Sequence, residues 1–229
     1  MTPDPWSAVG LSLVVGAAST VATLPIAVAT AWVLARKRFF GRSVLSALVL
    51  APLVLPPVVT GLLLLRLLGR ASSLGRWLEA VGWPVPFSLT GATIAAAVVG
   101  FPLYVSAIRG AFEAVDPRLE EVSASLGATP SRTFFLVTLP LALPGVAAGM
   151  VLAFARGLGE FGATAVIAGN IEGRTRTIAL AVYALLEAPD GESALTLLLA
   201  VSVGLSVMAL VGFELLNRWQ RRRLELDDG

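Results

Sequence analysis

The chain of 229 residues contains no cysteine and no histidine. The first absence excludes disulfides, thiolate nucleophiles and zinc–thiolate centres; the second excludes imidazole acid–base chemistry. Lysine is nearly missing as well, Lys37 being the only one. No G-x-x-x-x-G-K-[ST] occurs, so the chain cannot cradle ATP in a P-loop of its own. A hydrolase would need a nucleophile with a base in reach. Only Ser–Lys or carboxylate pairs remain, and the lone lysine sits in a basic loop. Charge itself is scarce: 14% of residues are charged, against about 25% in a soluble domain.

What fills the space is apolar. The chain is 56% hydrophobic with a mean hydropathy of +0.84, which makes it a multi-span membrane protein. Its pI of 9.7 does not indicate nucleic acid, because the 17 basic residues are scattered among loops and do not form one basic face. Five runs are long enough to cross, at residues 7–34, 44–65, 91–108, 141–168 and 194–216. The first is longer than a signal-peptide core and is expected to remain in the mature protein. Pro25, Pro52, Pro56, Pro57, Pro102 and Pro144 lie inside these runs, so kinked, mutually packed helices are expected. Thr177–Glu187 is apolar but too short to cross, and reads as an outer re-entrant or interfacial segment.

Basic residues orient the spans. Arg36, Lys37, Arg38 and Arg42 follow the first run directly, which marks that loop as cytoplasmic. Alternation puts Met1 outside, residues 109–140 inside, and the tail with Arg218, Arg221, Arg222 and Arg223 inside. Arg109, Arg118 and Arg132 join the inner set, while Arg66, Arg70, Arg76, Arg174 and Arg176 fall outside. All five tryptophans lie at span ends or in loops, as an interfacial belt requires. The odd span number and the lack of an internal repeat leave one chain without both halves of an alternating-access pathway, so a second copy is expected.

The long polar interruption at 118–140 is the distinctive stretch. Asp116 and Pro117 supply a helix N-cap and first-turn proline, and Leu119, Val122 and Leu126 form one apolar stripe. Gly127 should end that helix, with Pro130 turning the chain into a second short segment. Two short helices with small residues at their bend make a plug for another protein's groove.

Polar residues within the fourth run are the candidates for a pathway lining. Arg156 and Glu160 stand at i and i+4, able to pair with each other or to meet a solute, and Thr164 and Asn170 extend the line outward. Gly157–Gly162 spells G-x-G-x-x-G, but it follows a helical run and no strand, so close packing or a hinge is the better reading than a dinucleotide site. Gly145 and Gly149 form a small-xxx-small pair suited to close helix approach.

Glu121-Val-Ser-Ala-Ser-Leu-Gly127, nine residues, then Val137-Thr-Leu-Pro140 resembles the EAA loop of ABC-importer permeases, with Val122, Ser123 and Val137 departing from its usual residues. Pro52–Gly61, Leu139–Gly145 and Phe154–Tyr183 resemble the molybdate permease family, and the likeness covers nearly the whole chain. It implies an all-α, five-span permease of the type I importer (MetI-like) fold in one domain, in a bacterial inner membrane, importing molybdate or a related oxyanion such as tungstate, sulfate or thiosulfate. An ATP-independent channel or carrier is the remaining alternative. It also implies a homodimer, two ATPase subunits holding ATP and Mg on the cytoplasmic side, and an external solute-binding protein. The positions matching the docking loop are Glu121, Leu126, Gly127, Ala128, Thr129, Leu139 and Pro140. Pathway or gate candidates are Pro56, Pro57, Thr60, Arg156, Glu160, Phe161, Gly162, Thr164 and Asn170. Neither a catalytic residue nor a metal site is expected.

Overall fold

The computed structural model describes residues 5–188 and 191–226, with side chains as far as Gln220. Met1 and the side chains of Arg221, Arg222 and Arg223 therefore lie outside the described residues. Eleven α-helices and one π-helical turn are present among them, and no strand. The helices are α1 (Pro5–Arg36), α2 (Arg42–Val54), α3 (Pro57–Leu68), α4 (Ser73–Ala80), α5 (Leu89–Glu113), α6 (Pro117–Ser125), α7 (Pro130–Thr133), α8 (Leu139–Leu158), α9 (Gly162–Ile167), α10 (Ile178–Leu186) and α11 (Glu192–Leu226). The π turn, Phe134–Thr138, joins α7 to α8.

Helix α5 is the hub, packed on α1, α8, α2 and α9. Of its most apolar window 56% lies inside the protein, against 6% for α11, which is left on the periphery. Small residues make this density possible. Ala92, Ala95, Ala96 and Val99 line one half of α5, while Tyr104, Val105, Ile108 and Phe112 pack the other half against Ala27, Ala31, Leu34 and Val146. A Cβ on Gly149 would lie 3.0 Å from Ile108 and 3.4 Å from Tyr104, so the small-xxx-small pair sets how closely α8 approaches α5.

Among the described residues four helical runs are long and apolar enough to cross a membrane: Pro5–Arg36, Leu89–Glu113, Pro130–Leu158 and Glu192–Gln220. The expected run at 44–65 is not one rod. It is α2 and α3, bent by 111°. The cause is the proline pair: each proline forces its predecessor out of the helical region, so Leu55 and Pro56 are extended (ψ 139° and 132°) while Pro57 starts α3.

The fourth run also differs. Its helix begins at Pro130, inside the expected cytoplasmic loop, and ends at Leu158. The chain then breaks at 159–161 before α9, so 141–168 is not one continuous span. Helix α10 has 9 residues, about 13 Å of rise, too short to cross. The backbone N–H of Ile178 at its start donates to Ser12 Oγ at 2.7 Å, which fixes α10 beside the first turns of α1. The end of α1, about 36 Å from Ser12 along the helix, meets α6 through Arg36. The two ends of the molecule are thereby distinct: one carries α10, the other the elbow built from α6 and α7.

Candidate functional site: the polar elbow and the broken helix

The elbow is assembled from local signals. Asp116 caps α6 by accepting from the Arg118 N–H at 2.9 Å, and Pro117 occupies the first turn. At the other end Ala128 N–H donates to Ser123 O at 3.1 Å and Gly127 N–H to Ala124 O at 2.9 Å. That pair of bonds is a Schellman closure, which requires a left-handed residue; Gly127 supplies it at φ +83°. Thr129 then caps α7, accepting from Arg132 N–H at 3.4 Å. Across the bend Ser123 Oγ and Thr133 Oγ1 share a hydrogen bond of 2.9 Å.

The elbow is pinned from behind. Glu120 Oε1 accepts from Arg36 Nε at 3.0 Å and from Thr138 Oγ1 at 2.9 Å, and Arg36 Nη2 also donates to Val115 O at 2.8 Å. One carboxylate thus ties α6 to the end of α1 and to the π turn leading into α8. π-Helical turns are frequent at functional positions because they displace the register of a helix locally. Here the last residue of the turn, Thr138, gives its hydroxyl to Glu120.

With α6 held by that face, its apolar stripe points away. Leu126 is 84% exposed and Val122 58%, and Leu119 is exposed beside them. Together with Ala128, Arg132, Leu136 and Val137 they line a groove of about 400 Å³. Of the motif positions, Glu121, Gly127, Thr129 and Pro140 are exposed, Ala128 is half-buried, and Leu139 packs on the main core. Glu120 and Thr138 were not among the candidate site residues read from sequence, and Arg36 entered there only as a topology marker. Nothing local marks Glu120 apart from Glu121, and its partners lie 84 and 18 positions away.

The second cluster sits where α8 ends. Glu160 is 2% exposed; its Oε2 meets Arg156 Nη1 at 2.9 Å and its Oε1 accepts the Ala163 N–H at 2.8 Å. Both oxygens are committed, so the carboxylate joins α8 to α9 across the break. Arg156 keeps part of its guanidinium open, its side chain being 27% exposed. Gly157 would bring a Cβ within 3.4 Å of Gly16 Cα, and Gly162 within 2.9 Å of Pro57. The outer two glycines of the series therefore mark close approaches, to α1 and to the bend before α3, while Gly159 has open space around it.

Thr60 on α3 and Thr164 on α9 are buried with hydroxyls that find no partner, on two helices so close that a Cβ on Gly61 would touch the Ala163 backbone at 2.8 Å. Pro56 and Pro57 form the bend opposite Gly162. Phe161 meets Tyr183 of α10 in a tilted ring contact, with centroids 5.3 Å apart. Asn170 stands apart from this cluster, in the loop between α9 and α10, where its Oδ1 accepts from Arg176 Nε at 2.9 Å. Among the described residues no group of His, Cys, Asp or Glu has the arrangement of a metal site.

Residues 23–225 match the family described as binding-protein-dependent transport system inner membrane component. The chain is 47% identical over 224 residues to the molybdenum transport system permease protein ModB of Escherichia coli K12, covering 97% of this chain and 98% of that protein. The ModB of Haemophilus influenzae is 46% identical over 220 residues, covering 96% and 94%, and that of Mycobacterium tuberculosis is 46% identical over 212 residues, covering 91% and 80%. Among solved structures, an inward-facing form of the MetNI methionine ABC transporter aligns with a TM-score of 0.65 at 18% identity, covering 93% of each chain. An amino acid ABC transporter crystallised with histidines aligns at 0.62 and 19%, covering 95% and 93%. These two likenesses establish the importer-permease fold.

Proposed function

Given that the chain belongs to the family of binding-protein-dependent transport system inner membrane components, we propose that it is the membrane-spanning subunit of an ABC importer for molybdate, acting as a homodimer. The near-full-length identity to molybdenum permeases supports the substrate. The observation that carries the mechanism is the elbow: an exposed apolar stripe, Leu119–Val122–Leu126, held rigidly to α1 and α8 by Glu120.

In this reading the ATPase subunits hold ATP and Mg and receive the stripe in a groove. α7, the π turn and α8 form one continuous helical run from the elbow to the break at 159–161. A push on α7 is therefore delivered about 40 Å away, at the junction that Arg156 and Glu160 secure. Closure of the ATPase pair draws two such elbows together and turns the outer ends of the permease pair apart to admit the anion; hydrolysis reverses it. The exposed apolar surface of the bent α2–α3 pair, including Val54, Val58 and Leu62, supports pairing of two copies beside the pathway. Thr60, Thr164 and the open part of Arg156 are the donors this cluster offers a dianion. Glu160, with both oxygens occupied, belongs to the frame. Arg36, Lys37, Arg38 and Arg42 near the elbow, and the α1 start at the opposite end, support an N-terminus outside and a cytoplasmic tail.

The test is uptake in proteoliposomes containing the permease, its ATPase and its binding protein. Labelled molybdate should accumulate only with ATP and the binding protein present. Uptake by the isolated chain down an ion gradient would overturn the reading, and preference for sulfate, thiosulfate or tungstate would reassign the cargo.

A further inference from the structure

A cavity of about 520 Å³ lies behind the elbow, on the face of α6 opposite the apolar stripe. Its walls are the end of α1 (Trp32, Ala35, Arg36, Lys37, Arg38), the polar face of α6 (Glu120, Ala124) and the α7–π segment (Thr133, Phe134, Thr138). Three cations face one carboxylate there. Arg36 is already spent on Glu120 and the Val115 carbonyl, and nearby Arg42 on the Leu34 carbonyl. Lys37 rests its ammonium 5.1 Å above the Trp32 ring, and Arg38 has no acidic partner among the described residues. Among the described residues two cations at the mouth are thus left without a counter-charge.

The surroundings distinguish a lipid from a soluble anion. The cations sit at the first polar turn after a membrane-spanning helix, where headgroups lie. The Trp32 and Phe134 rings, in edge contact at 5.5 Å, form an apolar wall. Phe39 and Phe40 follow directly, exposed by 41% and 106%, on the chain that leads to α2. Cationic side chains over an aromatic wall, with bare phenylalanines alongside, suit a phosphate that carries acyl chains; a free anion has no use for the apolar part.

We propose that this cavity binds the phosphate of an anionic phospholipid of the inner leaflet, with Lys37 and Arg38 as its principal ligands. The proposal rests on the cytoplasmic placement of the elbow argued above. A headgroup there would bridge α1 and α7 beside the Glu120 pin, so occupancy would stiffen the elbow without touching the docking stripe.

Native mass spectrometry of the complete transporter, delipidated and re-exposed to phosphatidylglycerol and phosphatidylcholine together, tests the idea. The wild type should keep phosphatidylglycerol selectively. Lys37→Gln with Arg38→Gln should lower that retention roughly 30-fold, at about fivefold per basic side chain, while Lys37→Arg with Arg38→Lys keeps it. Equal retention by the wild type and the Gln pair would overturn the proposal. So would displacement of the lipid by millimolar inorganic phosphate, which would assign the site to a free anion. The premise is checked separately on the cysteine-free chain: Ser43→Cys should react with an impermeant maleimide from the cytoplasmic side and Ala80→Cys from the outer side. The reverse labelling would remove the cytoplasmic placement whatever lipid is retained.

Discussion

Arg36, the last residue of α1, donates to the Glu120 carboxylate at 3.0 Å across 84 positions of sequence, and the same carboxylate oxygen accepts from Thr138 at the foot of α8. Three helices meet at one atom. The side chains of the pair are only 13% and 26% exposed, so the bridge is less screened than a surface pair.

The first prediction tests that joint as a transmission element. Glu120→Gln should keep the fold and still bind the ATPase, because the stripe is untouched, yet take away part of a charge-assisted bond to Arg36 worth about 1.5–3 kcal/mol in all. Molybdate moved per ATP hydrolysed, measured in proteoliposomes, should fall while hydrolysis itself persists. An unchanged ratio would show that the joint carries no motion.

Gly127 is the second. Its φ of +83° is one that L side chains resist, yet nothing lies within 4 Å of a built Cβ. Strain is therefore the only cost, about 1–2 kcal/mol for Gly127→Ala. Gly127→Asn, which tolerates the left-handed region, should cost less. Coupled ATPase activity should follow that order, Gly then Asn then Ala. If Asn and Ala were equally impaired, the position would be read by the partner protein and not by backbone geometry.

The third concerns the stripe. Leu126 is 84% exposed and supports nothing within its own chain, so Leu126→Glu should leave the thermal midpoint of the permease alone unchanged. Burying that charge in a partner's groove should weaken docking by about 2 kcal/mol or more, roughly 30-fold. Co-purification of the ATPase subunit reads this directly, and undiminished recovery would place the docking surface elsewhere.

The elbow's ends were legible in sequence because they rest on local chemistry: an Asp-Pro start, a glycine stop and an apolar stripe of helical period. Its attachment was not. The Arg36–Glu120 and Ser12–Ile178 contacts join distant segments, and hydropathy reports only which stretches are apolar, not which helices become neighbours. Pro130 illustrates the limit from the other side. It reads as a turn, yet it is the first residue of a helical run reaching Leu158, because a proline suits a helix start as well as a loop. Pro56-Pro57 announced a kink, and the 111° bend follows from two successive extended residues, but which elements that bend would bring together depends on α9, whose own helix of 6 residues carries almost no periodic signal.

The last prediction separates frame from pathway at the end of α8. Removing one partner of a buried ion pair strands the other and costs about 3–5 kcal/mol, whereas replacing both with groups of similar shape is often neutral. Arg156→Met alone should therefore lower the thermal midpoint sharply, since Glu160 at 2% exposure is left charged and unpaired. Adding Glu160→Gln should restore it, because the amide oxygen still accepts the Ala163 N–H that caps α9. Molybdate uptake by the restored double variant then isolates what remains. If uptake returns with stability, both residues serve the junction between α8 and α9. If stability returns without uptake, the open part of the Arg156 guanidinium meets the anion, and the pathway passes beside the break.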